Sequence, residues 1–151
     1  MLRLDPAGSV GDLAGSQGTP TMATMPLLAD DQMSPEARAV IDDIRTTRQT
    51  DFLNNFWRAL ANDPALLKRT WESLKAVMGP GQLDPKVKEL IYIAVSVAQS
   101  CEYCIHSHTA AATAKGMTPA MHGELLAVIA MASQTNGLAS ALQVETDAVF
   151  L

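Results

Sequence analysis

At 151 residues the chain is long enough for one domain with a substantial hydrophobic core. Hydrophobic residues make up 48% and charged residues 18%, a balance that fits extensive buried surface, subunit interfaces included. A net charge of −5 without any basic run or basic face with interleaved aromatics argues against nucleic-acid binding, and no apolar run reaches the roughly 18 residues of a membrane span.

The first segment, residues 1–24, is rich in Gly, Ala, Ser and Thr and offers no periodic face to bury, so it reads as a flexible N-terminal arm. It has no continuous apolar stretch of the signal-peptide kind, which makes the cytoplasm the expected location. Residues 25–151 then form the domain. Ser34-Pro35-Glu36 is a helix opening, with Ser as N-cap, Pro at the first helical position and an acid in the first turn. Ala37, Val40, Ile41 and Ile44 follow at helical spacing. A short second helix carries Phe56, Trp57 and Leu60. Asp63-Pro64 opens a third with Leu67, Trp71, Leu74 and Met78 on one stripe, and Gly79-Pro80-Gly81 stops it.

Asp84-Pro85 opens the fourth helix, expected to run to about residue 99. Val87, Leu90, Ile91, Ile93, Val95 and Val97 make it apolar nearly all round, the pattern of a buried central helix, and Glu89 is the acid inside that pattern. The fifth carries both cysteines and ends at Lys115-Gly116. Thr118-Pro119 opens the sixth, expected to end before Asn136-Gly137, and a last helix is expected over residues 138–149. No alternating strand pattern bounded by hairpin turns interrupts this series. The fold expected is all-α, six to seven helices with a central buried hairpin.

Chemistry concentrates in Ser100-Cys101-Glu102-Tyr103-Cys104-Ile105-His106-Ser107-His108. With Ser100 as N-cap, Cys101 and Cys104 fall in the first helical turn, where residues three apart share a face and two sulfurs can join with little backbone movement. Unpaired N–H groups at a helix start favour a thiolate. His108 stands four residues after Cys104, one turn on, where an imidazole is placed to take a thiol proton. His106 points elsewhere on the helix and reads as structural or surface. Glu89 reaches His108 only if the two helices pack antiparallel; otherwise a salt bridge to Lys86 one turn back is the simpler role. His122, the methionines and the two tryptophans read as packing residues. A zinc site built from Cys101, Cys104 and the histidines is the competing reading, but a closed site takes four ligands and His106 and His108 lie on different helix faces. A thioredoxin motif would follow a strand, and the segment before Cys101 is helical.

The pattern Glu89, then Cys101-x-x-Cys104-x-x-x-His108, resembles the signature of the AhpD-like branch of the carboxymuconolactone decarboxylase family. The flanking Lys88-Glu89-Leu90-Ile91 and His108-Thr109-Ala110-Ala111-Ala112 fit as well, and the resemblance spans about residues 25–150. It implies an all-helical domain assembling into homo-oligomers, trimers or hexamers, with peroxidase or thiol-disulfide chemistry. On that resemblance Cys104 is the nucleophile, Cys101 the resolving cysteine, and His108 with Glu89 the proton relay. The family pattern has a further histidine just before the second cysteine; here that position is Tyr103, a hydrogen-bonding group but not a base near neutral pH. Tyr103 and His106 are expected as neighbours of the site.

The function expected is therefore a cysteine-dependent antioxidant oxidoreductase acting on a hydroperoxide or a partner protein's disulfide. Two cysteines hold one electron pair, so an external dithiol must restore them. No nucleotide-binding glycine motif is present, and no bound cofactor is expected. The alternatives are the family's lactone-decarboxylating lyase chemistry, which needs no cysteine pair, and a non-enzymatic helical oligomer with a structural zinc.

Overall fold

The computed structural model describes residues 23–151, so most of the expected arm, residues 1–22, lies outside the described residues. Six α-helices, α1 (Pro35–Arg48), α2 (Asn55–Leu60), α3 (Pro64–Met78), α4 (Pro85–Ala98), α5 (Glu102–Ala114) and α6 (Pro119–Ala141), are joined by short turns. Short 3-10 turns at Asp30–Gln32 and Ala148–Phe150 flank them, and no strand occurs among the described residues. The chain divides into two compact units, up to Trp71 and from Glu72 onward.

The first unit is built as its sequence punctuation dictates. Ser34 caps α1 by accepting a hydrogen bond from the Ala37 N–H at 3.2 Å, with Pro35 at the first helical position. One face of α1 buries Ala37, Ile41 and Ile44. Trp57 and Trp71 meet edge to face with ring centroids 5.7 Å apart, and the Trp71 indole N–H donates to Asp43 at 2.6 Å, which satisfies the one polar atom of a buried ring. Asp30 accepts from both Arg45 and Arg58, tying the segment before α1 to α1 and α2.

The second unit holds the cysteines. Lys88 donates to the carbonyls of Val77 and Gly79, at 2.7 and 2.6 Å, and so satisfies the orphan acceptors where α3 ends. Gly79 is required there, because a Cβ would sit 2.8 Å from the Lys75 carbonyl oxygen. Asp84 caps α4 from the Lys86 N–H, and Thr118 caps α6 from the Met121 N–H. Helix α4 packs against α5 and α6. Their shared core is Ile93, Ala112, Met117 and Ile129, with Leu90, Ala94, Val97, Met121 and Leu125 packed around it. Full burial of a side chain such as Ile93 contributes about 1.5–3 kcal/mol.

Three expectations need correction. Helix α4 is not buried all round: Glu89, Ile93 and Ser96 are buried, whereas Val87, Ile91 and Val95 are 37, 49 and 55% exposed on a stripe at four-residue spacing. Helix α6 runs unbroken through Asn136-Gly137 to Ala141, so the separate helix over 138–149 does not form, and only a 3-10 turn follows. Asn-Gly is a turn signal when the backbone has an alternative to the helical ladder; inside a helix already several turns long, one glycine costs only about 1 kcal/mol. Ser100, finally, is not the N-cap of α5; its φ of 53° places it in the left-handed region, and Cys101 is the cap.

Candidate active site

Residues Glu89, Tyr92, Ile93 and Ser96 recur at helical spacing and form the face of α4 that carries the site. The α4–α5 turn delivers the cysteines. Ser100 reverses the chain through its positive φ, and the Cys101 N–H donates to the Ser96 carbonyl at 2.9 Å. The buried Ser96 hydroxyl donates to the Tyr92 carbonyl at 2.7 Å, so it is satisfied within its own helix. Cys101 then serves as N-cap: its Sγ accepts from the Cys104 N–H at 3.4 Å. Cys101 and Cys104 are disulfide-bonded, with Cα atoms 5.3 Å apart, the separation that the first turn imposes on residues three apart. Both are half-buried.

One turn beyond Cys104, the Nδ1 of His108 lies 2.7 Å from Oε2 of Glu89. Glu89 is only 5% exposed, yet its second oxygen is also occupied: Lys115, just past the end of α5, donates from Nζ to Oε1 at 2.7 Å. The salt bridge of Glu89 is thus to Lys115 and not to Lys86. Burial pushes the Glu89 carboxyl up, but the hydrogen bonds and charges of His108 and Lys115 outweigh it and hold its pKa below the ordinary 4.5. At neutral pH Glu89 is an anion and accepts only, so His108 donates from Nδ1 and its Nε2 carries the free lone pair. The Tyr92 ring stacks on the imidazole, with centroids 3.7 Å apart and planes inclined by 16°. His108 is thereby held at its edge by a carboxylate and on its face by an aromatic ring.

The remaining expected neighbours are more exposed than the Glu89–His108 pair. Tyr103 is 44% exposed on the first turn of α5, beside the disulfide in sequence, and His106 is exposed. The hydrogen bonds described at the Glu89 carboxylate come from His108 and Lys115. His122, near the start of α6, is half-buried and does not join the Glu89 cluster. Among the described residues no group of three or more His, Cys, Asp or Glu side chains converges as a metal site would require.

Sequence reasoning missed Lys115 and Tyr92. Both had a signal. Tyr92 stands three residues after Glu89, so it shares that face of α4. Lys115 stands seven residues after His108, two helical turns on, with the buried Ala112 between them. Chemically the arrangement provides a cysteine pair able to cycle between dithiol and disulfide and, one turn away, an oriented base.

The chain is similar to known proteins. Residues 64–147 match the family described as carboxymuconolactone decarboxylase. An uncharacterised protein of Cupriavidus necator is 32% identical over 82 residues, which cover 54% of this chain and 73% of that protein. The crystal structure of the alkylhydroperoxidase AhpD core from Rhodospirillum rubrum is similar with a TM-score of 0.83 and 63% identity, covering 85% of this chain and 97% of that one.

Proposed function

Because this chain belongs to the carboxymuconolactone decarboxylase family, as an AhpD-like member, we propose that it is a cysteine-dependent antioxidant oxidoreductase of the alkylhydroperoxidase type. The observation that carries the reading is one short stripe of α5 on which the Cys101–Cys104 disulfide is followed by a histidine hydrogen-bonded to a buried carboxylate.

In the reduced protein, His108 takes the Cys104 proton at Nε2, and Glu89 stabilises the imidazolium through Nδ1. The Cys104 thiolate attacks the terminal oxygen of a hydroperoxide. The O–O bond breaks, sulfur gains oxygen as a sulfenic acid, and the alkoxide takes the proton back from His108 to leave as an alcohol. Cys101 then attacks the Cys104 sulfur, an S–S bond forms and water leaves. Two electrons have passed from the cysteine pair to the peroxide. An external dithiol, whether small or on a partner protein, returns them by thiol-disulfide exchange and leaves oxidised. A partner's disulfide is reduced by the same thiolate without the sulfenic step. No bound cofactor is needed for this cycle, which belongs in a thiol-reducing compartment; the proposed location is the cytoplasm. No described helix is long and apolar enough to cross a membrane.

The family resemblance and the exposed Val87, Ile91 and Val95 stripe support a homo-oligomer, a trimer or hexamer. The deciding experiment is hydroperoxide consumption in the presence of a dithiol. Cys104→Ser is expected to abolish it. Cys101→Ser, which cannot form the internal disulfide, is expected to consume one equivalent of peroxide when no dithiol is present and to leave a sulfenic acid that dimedone traps, or a mixed disulfide once thiol is added. Undiminished turnover by Cys104→Ser overturns the proposal.

A further inference from the structure

Lys115 touches the site through Glu89 and has no part in the cycle just described. It stands where α5 ends, its N–H bonded back to the carbonyls of Ala111 and Ala112, with Gly116 turning the chain away at a φ of 86°. A cation is favoured at that end of a helix. From there its ammonium reaches back to Oε1 of Glu89, the oxygen that His108 does not use. The groups that meet the carboxylate are few. His108 and Lys115 come from α5 and its cap, Tyr92 on α4 itself stacks on His108, and α6 supplies neither hydrogen bond nor ion pair to Glu89 among the described residues.

We propose that Lys115 is a positioning residue of the redox site: by binding Oε1 of Glu89 it keeps that carboxylate a pure acceptor and so decides which imidazole nitrogen of His108 is the base. The argument follows from the donor and acceptor inventory. A buried carboxyl without its cation takes up a proton more readily, because desolvation penalises the anion. A protonated Glu89 is a donor and donates to Nδ1. The proton of the neutral imidazole then resides on Nε2, the nitrogen left for the cysteine side of the helix, and His108 no longer has a lone pair there. With Lys115 in place the opposite tautomer is the only one that satisfies the Glu89–His108 contact. The inference rests on the proposed role of His108 as the base for Cys104.

The test uses the full-length protein in a Cys101→Ser background, where Cys104 is the sole thiol, with and without Lys115→Met, Lys115→Arg and His108→Gln. Two quantities are read: the nitrogen-15 shifts of the His108 ring, which report the tautomer, and the pH dependence of Cys104 alkylation by iodoacetamide. In the parent, Nε2 should show the shift of an unprotonated nitrogen. Lys115→Met should move the ring toward the Nε2–H form and displace the midpoint of the alkylation profile upward by about 1 pH unit, since loss of a nearby positive charge lets its neighbours hold protons to higher pH. Lys115→Arg should restore both readings, because a guanidinium supplies the same charge and donors. Unchanged ring shifts and an unchanged profile in Lys115→Met overturn the positioning role, and so does a lower melting temperature with both readings intact, which marks a merely structural lysine. If His108→Gln leaves the alkylation profile of the parent unmoved, the base assignment itself fails and the role of Lys115 falls with it. A profile that His108→Gln shifts and Lys115→Met does not shift removes Lys115 alone.

Discussion

Glu89 is the one acid of a mostly apolar helix and is buried there, and its two oxygens have two different partners. Its folded pKa lies below 4.5 because the contacts from His108 and Lys115 outweigh the cost of burial. The folded state therefore binds this proton more weakly than the unfolded chain does. The stabilisation is fully present above pH 4.5 and is lost as the pH falls through the depressed folded value. Glu89→Gln should cost about 2 kcal/mol at neutral pH, a figure discounted because Lys115 is 40% exposed. The melting-temperature gap between Glu89→Gln and the wild type should narrow steadily below pH 4.5; a gap independent of pH would mean that the carboxylate charge is not what stabilises. Ser100 gives a second residue-scale prediction. An L-residue in the left-handed region costs about 1–2 kcal/mol that glycine does not, so Ser100→Gly should raise the denaturation midpoint. An N-cap serine would have behaved in the opposite way.

Among the elements, α5 and α6 show where local signals suffice and where they do not. The cap sequences Ser34-Pro35, Asp84-Pro85 and Thr118-Pro119 were legible, because each side chain bonds a backbone N–H two or three residues ahead and needs nothing distant. The Asn136-Gly137 stop was misleading, because helix continuation depends on the ladder already formed on its N-terminal side. Gly137 has no positive φ, and a Cβ there meets nothing within 4 Å. Gly137→Ala should therefore stabilise by about 0.5–1 kcal/mol in chemical denaturation. Gly116 also has open space around it, but its φ is 86°. Gly116→Ala should destabilise by roughly 1 kcal/mol and, by disturbing the chain beside Lys115, should slow Cys104 alkylation as well.

At the scale of the whole molecule, large apolar side chains stand exposed among the described residues. Besides the α4 stripe, Leu126, Val128, Met131, Leu138 and Leu142 are exposed along α6. Covering such surface is what drives association of like subunits. Light scattering should report a mass three or six times that of the chain. Placing a charge in the stripe, as in Val95→Asp, should lower that mass, since an unpaired carboxylate does not tolerate burial; an unchanged mass would place the interface elsewhere.

The sequence by itself determined the helical class, four of the helix starts, and the pairing of Cys101 with Cys104. Each follows from interactions within a turn or two of chain, so local spacing was enough. It also set Cys104 and His108 on one face of α5. Only the tertiary structure decided what Glu89 does. Its choice of His108 and Lys115 over Lys86 depends on α4 and α5 lying side by side, and together the two contacts hold the buried carboxyl below its ordinary pKa. Which face of α4 is covered within the chain is likewise a matter of packing between helices, to which a pattern apolar all round is blind.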